Sequence, residues 1–398
     1  MYFKKTISIN PNFYDAFINL GYTMIDNNQE NESLKYFKKA VLLKPKDIKS
    51  LNTIAEILFK LNKLDESKIY YNKAIDLNPN SSYLYNNLGL VYDKLEDKDK
   101  AILHYKKAFK IKKDFAEAYF NLGSALIDKE KYTDSIHYFR NAIKFKKNYF
   151  EAYNNLGVSN DKLGLYNEAI INYKKSISLN KKYIEAYFNA GILLNDLGRY
   201  KESLDYLNEV VNISPFYPSA YFYLALVNCN LGDYNKAILY FKEAKKNDPN
   251  NASIDHMLNS LEGINTAFPP IKYIINLFND YAQKFDNHLL NTLSYTAPKL
   301  MRKIYNKNIE GIIQDNVLDL GCGTGLVGEE FRDISRNLIG IDVSPKMLKK
   351  AKAKKIYNKL IEDDIINSDN FFLTSFNLII ASDFFIYIGD LKNIFKKI

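Results

Sequence analysis

Along the first 250 residues, apolar positions fall into two helical stripes per unit, and the unit recurs every 34 residues. The phrase N-L-G, or a variant, places its third residue at Gly21, Ala55, Gly89, Gly123, Gly157, Gly191 and Ala225. Sixteen residues after each comes a large apolar side chain: Phe37, Tyr71, Tyr105, Phe139, Tyr173, Leu207 and Phe241. Nineteen after each comes Ala40, Ala74, Ala108, Ala142, Ser176, Val210 or Ala244, and Pro45, Pro79, Pro215 and Pro249 close several units at one offset. The spacing predicts two short amphipathic helices per unit. Small residues lie where the helices cross, large ones fill the gap, and proline stops the second helix.

Seven units, beginning near Tyr14, Ile48, Ser82, Ala116, Phe150, Ile184 and Pro218, keep this register. The pattern resembles the tetratricopeptide repeat (TPR), which implies an α-helical superhelix with a concave groove, each unit buried only against its neighbours. Running the register backwards puts Phe3 at the second-helix aromatic position and Pro11 at the closing proline, so residues 1–13 read as the tail of an incomplete unit. Residues 14–251 then form the array, 252–264 its capping helix and 265–270 a linker ending in Pro269-Pro270. The sixth position of the units carries Asn19, Asn87, Asn121, Asn155 and Asn189. A carboxamide both donates and accepts, so such a ladder can pair with the backbone of an extended peptide. The array resembles the asparagine-ladder superhelices of O-linked N-acetylglucosamine transferases and importins. The alternative is that these side chains bond between neighbouring helices.

Beyond Pro270 the register gives way to alternating strands and helices. Residues 315–320 read as a buried parallel strand that enters the loop Gly321-Cys322-Gly323-Thr324-Gly325, followed by a helix over 326–331. A second strand, 337–341, ends at Asp342. Ser344 and Pro345 start a helix over 345–353 as its N-cap and first-turn residues. Strands at 360–361 and 376–381 lead into Glu362-Asp363-Asp364 and Ser382-Asp383. The alternation predicts a parallel, Rossmann-like sheet. Glycines let the loop backbone approach a ligand, and a carboxylate at the neighbouring strand tip can accept both hydroxyls of a ribose.

Two motif alignments compete. Gly323-Thr-Gly325-Leu-Val-Gly328 fits the dinucleotide fingerprint, which would leave Asp319 without a role. Read from Gly321, the string D-L-G-C-G-T-G followed by G-I-D-V-S resembles the first motifs of class I S-adenosylmethionine (SAM) methyltransferases. The segment before it, F-N-D-Y-A-Q-K-F-D-N-H-L over residues 278–289, read as one helix, looks like that of TPR-containing methyltransferases, with Asn279 where they have Asp. The resemblance implies that SAM is the cofactor. By analogy, Asp319, Gly321, Cys322, Gly323 and Gly325 meet its methionyl part, Asp342 its ribose, and Asp364 or Asp363 its adenine. Tyr281 and Phe285 belong to a helical flap. Asp383 and Tyr387, after the fourth strand, are substrate-pocket candidates, and no residue is identified as a proton acceptor.

Composition narrows the remaining options. The net charge of +9 divides as +6 over residues 1–269 and +3 over the rest, with only five arginines, so no basic block marks a nucleic-acid surface. Cys229 and Cys322 are 93 residues apart and the four histidines are scattered, which points to neither a disulfide framework nor a metal site. No stretch has the length and apolarity of a signal peptide or a membrane span, so the expected location is the cytoplasm. Four strands and a half-unit at the start read as a fragment of a longer protein. The expected function is SAM-dependent methyl transfer to an unidentified acceptor, with a protein or extended peptide in the groove. The alternatives are a non-catalytic TPR scaffold and, more remotely, a nicotinamide-linked domain.

Overall fold

The computed structural model describes residues 2–264, 269–283, 285–309, 311–364, 375–385 and Phe395, excluding the side chains of Asp280 and Thr292. The chain forms two compact units, Met1–Pro215 and Phe216–Ile398.

The first unit is entirely helical among its described residues. Helices begin at Tyr14, Ile48, Ser82, Ala116, Phe150 and Ile184, the positions given by the 34-residue register. Each 13-residue first helix is followed by a 14-residue second helix, as in Ala116–Asp128 and Tyr132–Phe145. The reason for the glycines is steric. A Cβ on Gly123 would come 2.7 Å from the Phe139 ring, and one on Gly89 would come 2.5 Å from the Tyr105 ring. Removing the Cβ lets the ring sit on the partner helix backbone, and both rings are fully buried. Hydroxyls at the start of second helices satisfy carbonyls across the pair: Ser33 Oγ donates to Gly21 O at 2.8 Å, and Ser203 Oγ to Gly191 O at 2.7 Å. Each turn between paired helices uses one left-handed residue, Asn28, Asn62, Glu96, Glu130, Gly164 or Gly198.

The second unit opens with the seventh repeat, Pro218–Asn230 and Tyr234–Asn247, and the helix Ala252–Leu261, expected as a cap. Most of the expected linker lies outside the described residues. Helices Ile271–Tyr281 and Ala297–Asn308 precede a four-stranded, fully parallel sheet. Its strands are β1 (Gln314–Leu320), β2 (Ser335–Asp342), β3 (Lys359–Glu362) and β4 (Leu378–Ala381), in the order β3-β2-β1-β4. Alternation along β1 sends Leu318 and Leu320 to one face, with Ile341. Val317 goes to the other, against Tyr305, Val327 and Phe331. The segment over 278–289 is not one helix: regular helix stops at Tyr281, and a π-helical turn, His288–Thr292, follows Phe285–Asn287. Among the described residues no helix is long and apolar enough to cross a membrane.

Candidate functional site

The carboxyl ends of β1, β2 and β4 open into a cavity of about 410 Å³. Its floor comes from the strand tips: Gly321 and Gly323 after β1, Asp342 and Val343 at β2, and Ser382, Asp383 and Phe384 after β4. The helix Ile271–Tyr281 supplies one wall with Ile274, Leu277, Phe278 and Tyr281, the i, i+3, i+4, i+7 stripe of an amphipathic helix. Phe285 and Leu289 continue that wall, and Asp364 closes the β3 side.

Glycine shapes the loop in two ways. Gly321, Gly323 and Gly325 have φ of +65°, +53° and +90°, a region that L side chains rarely occupy. A Cβ on Gly321 would also strike Phe384 at 2.7 Å. The loop is then locked to β2: Gly323 N donates to Asp342 Oδ2 at 2.9 Å, Ser344 N donates to Asp342 Oδ1 at 2.8 Å, and Cys322 N donates to Ile341 O at 2.9 Å. The glycine bend and the strand-tip carboxylate therefore face the same space. Burial raises the Asp342 carboxyl above its ordinary value, and the amides of Ser344 and Gly323 oppose that rise. Each of its oxygens accepts one amide, which leaves lone-pair capacity for further donors.

Asp319 does not line the cavity, contrary to expectation. It sits on the opposite face of β1, in register with Gly340, where Tyr357 donates to its Oδ2 at 2.6 Å. The absence of Cβ atoms on Gly325, Gly328 and Gly340 makes the seat for the Tyr357 ring. Gly328, the third glycine of the dinucleotide fingerprint, thus serves a tyrosine. Asp319 is fully buried, its Oδ1 has no hydrogen-bond partner among the described residues, and burial pushes its carboxyl up to about 7. Cys322 and Gly325 also lie outside the lining. Burial raises the Cys322 thiol well above the usual value, with further contributions from Asp319 and Asp342. Of the pair after β3, Asp364 lines the cavity, while Asp363 uses its backbone N–H on Asp342 O at 3.2 Å. Tyr387 falls outside the described residues.

Several contacts hold the cavity wall in place, and sequence reasoning missed them. Asn279 Oδ1 accepts from Ser344 Oγ at 2.8 Å and from Lys346 N at 3.2 Å, adding a second cap to the helix Pro345–Lys354. Thr324 Oγ1 donates to Asp286, and Tyr281 pairs with His288 Nδ1. Tyr295 bonds Ser382 Oγ at 2.5 Å. Asn279 was visible only as a departure from a motif, and Tyr295 and Tyr357 carried no local signal at all.

In the helical array, the asparagines bond between units. Asn121 Nδ2 donates to Asn86 Oδ1 and Asn189 Nδ2 to Asn154 Oδ1, both at 3.0 Å, and Asn155 Nδ2 donates to Ser124 Oγ at 3.2 Å. Asn87 is buried and Asn19 is exposed. These bonds are those of the interhelical alternative.

Comparison with known proteins agrees with both parts. A family described as a methyltransferase domain matches residues 317–398. Tetratricopeptide-repeat families match 14–47, 47–114, 116–149, 150–183, 184–217 and 218–251. Human methyltransferase-like protein 27 is 33% identical over 96 residues, 24% of this chain and 39% of that protein. The bovine 18S rRNA (guanine-N(7))-methyltransferase is 43% identical over 49 residues, 12% of this chain and 17% of that protein. The chain thus spans at most 39% of the length of these relatives. A tetratricopeptide repeat protein from Parabacteroides merdae superposes with a TM-score of 0.50 at 19% identity, covering 63% of this chain and 98% of that one. PilW, a type IV pilus biogenesis factor, does so with a TM-score of 0.50 at 18% identity, covering 53% and 98%. At these identities the likeness is one of fold. The chain is a tetratricopeptide-repeat protein that carries a methyltransferase domain after its array.

Proposed function

We propose that the cavity at the strand tips binds SAM and that the domain transfers its methyl group to an acceptor entering beside β4. The observation that carries this reading is the charge of the site. Asp342, Asp364 and Asp383 line the cavity, and among the described residues no Lys, Arg or His does. A sulfonium with an ammonium group suits three carboxylates. The pyrophosphate of a dinucleotide would meet repulsion with no compensating cation. The left-handed glycine bend fits as well, since at Gly321 and Gly323 the cavity meets backbone and no side chain.

When bound, SAM supplies an electrophilic methyl group on a positively charged sulfur. Asp342 would hold the ribose hydroxyls, Asp364 the adenine amino group, and Gly321 and Gly323 would pass under the methionyl part. Phe278, Tyr281 and Phe285 exclude water from above. Displacement at carbon needs alignment of acceptor and methyl and a dry site, and this apolar wall provides the second. Titration calorimetry of the full chain with S-adenosylhomocysteine tests the reading. Binding is expected, with a loss of about tenfold or more in Asp342→Ala, the scale of one charged hydrogen-bonding pair. No binding, or unchanged affinity in the variant, refutes it.

The array is proposed to hold an extended polypeptide along the face bearing Asn87, Asn121, Asn155 and Asn189. Support comes from carboxamides recurring at one unit spacing, of which Asn121, Asn155 and Asn189 are oriented by inter-unit bonds. Capture of peptides by the full chain should weaken when Asn87, Asn121 and Asn155 are replaced by Ala; unaltered capture refutes the ladder.

A further inference from the structure

One carboxylate of this acidic lining, Asp383, is matched in the reading above to no particular group of the cofactor. In that reading Asp342 and Asp364 take the ribose and adenine, whereas Asp383 belongs to the other side, just after β4. Its backbone is left-handed, with φ of +55°, so the chain turns sharply to place this residue at the cavity. Its neighbours fix it there. Ser382 Oγ is bonded by Tyr295 at 2.5 Å, and Phe384 packs over the Gly321 backbone. Burial, then the adjacent Asp383 carboxylate, pushes the Tyr295 phenol up to about 12, so it keeps its proton as a donor. Among the described residues, the polar groups on this side, Ser382 and Asp383, include none that could neutralise an acidic acceptor.

Resting on the SAM reading above, we infer that the methyl acceptor is a basic nitrogen, an amine bound initially as its ammonium against Asp383, with Tyr295 as the residue that positions the Ser382-Asp383 turn. A carboxylate or phosphate acceptor would be repelled by the same carboxylate. The chemistry balances. The ammonium gives one proton to solvent, and the exposed nitrogen lone pair forms the N–C bond to the methyl carbon. The C–S bond breaks with its electron pair remaining on sulfur. The positive charge passes from sulfur to nitrogen, leaving S-adenosylhomocysteine and a methylated ammonium, which Asp383 still stabilises.

A pair of ligands isolates this claim from cofactor binding. S-adenosylhomocysteine has no group at the methyl position. Sinefungin carries an ammonium-bearing carbon there and is otherwise closely similar. Calorimetry on the full chain should find sinefungin about tenfold tighter, the effect of one added charge-assisted contact. Asp383→Asn should abolish that preference while changing S-adenosylhomocysteine affinity less than about threefold. Asn tolerates a left-handed backbone, so the turn is kept. Tyr295→Phe should reduce the preference to about threefold by loosening the turn. Equal affinities in the wild type, or a preference that survives Asp383→Asn, overturn the inference and leave the cofactor reading standing. Equal losses for both ligands would reassign Asp383 to the cofactor's amino-acid end and also overturn it. If neither ligand binds, the cofactor reading itself fails.

Discussion

The buried Asp319 offers a quantitative test of how the sheet is held. Its carboxyl moves from an ordinary 3.8 to about 7, because burial disfavours its charged form and Tyr357 compensates only in part. Between these values the folded state keeps a proton that the unfolded chain has released. Stability from this group is therefore full below about pH 4 and is lost as pH rises through 7. At about 1.4 kcal/mol per tenfold in proton affinity, the whole loss is roughly 4 kcal/mol, with roughly 3 falling between pH 5 and pH 8. Asp319→Asn has nearly the same shape, keeps an acceptor for the Tyr357 hydroxyl and does not ionise. Hydrogen exchange read by mass spectrometry on peptides covering β1 gives the local opening free energy, after correction for the intrinsic pH dependence of exchange. The wild-type value should fall by about 2–3 kcal/mol from pH 5 to pH 8, while that of the variant stays level. Parallel profiles in the two proteins would show that Asp319 titrates normally and would refute the account of its burial.

Three other outcomes are expected. Gly123→Val places side-chain atoms in the volume of the Phe139 ring and should cost about 1–3 kcal/mol in array stability, measured by thermal melting followed by circular dichroism. The second and seventh repeats, with Ala55 and Ala225, show that one methyl at this position can be absorbed. Glu96 has φ of +61° at a helix end, so Glu96→Gly should stabilise by about 0.5–1 kcal/mol in the same melt. Burial, reinforced by Lys107, lowers His104 to about 4, where it stacks on Tyr92 at 5.1 Å. The unfolded chain takes up its proton first, so stability is full above about pH 6.5 and falls toward pH 4. Solvent screening holds the loss to about 1–2 kcal/mol, and it should vanish in His104→Phe.

The array was readable to the residue because its geometry repeats. A steric demand made at Gly21 is made again at Gly89, Gly123 and Gly157, and each recurrence confirms the others. The strand tips were readable because a glycine bend and a carboxylate must occupy fixed offsets from a strand end. What stayed hidden depended on faces and on distance. Asp319 sits next to the loop in sequence, but strand alternation turns it away from the cavity, toward a tyrosine 38 positions downstream. Tyr295 reaches Ser382 across 87 positions, and nothing local announces such a meeting. The single helix expected over 278–289 failed because a stripe of apolar residues does not reveal where the backbone widens into a π-turn.

Strand pairing and repeat packing also set different schedules for a chain leaving the ribosome. Helices in the first unit find partners adjacent in the chain, so successive pairs can consolidate as they emerge, within a few tens of residues of synthesis. β1 must wait for β4, since Val317 pairs with Leu378 61 positions later. During that interval the backbone edge of β1 that β4 will cover stays open to unwanted pairing, a risk the helical array does not share.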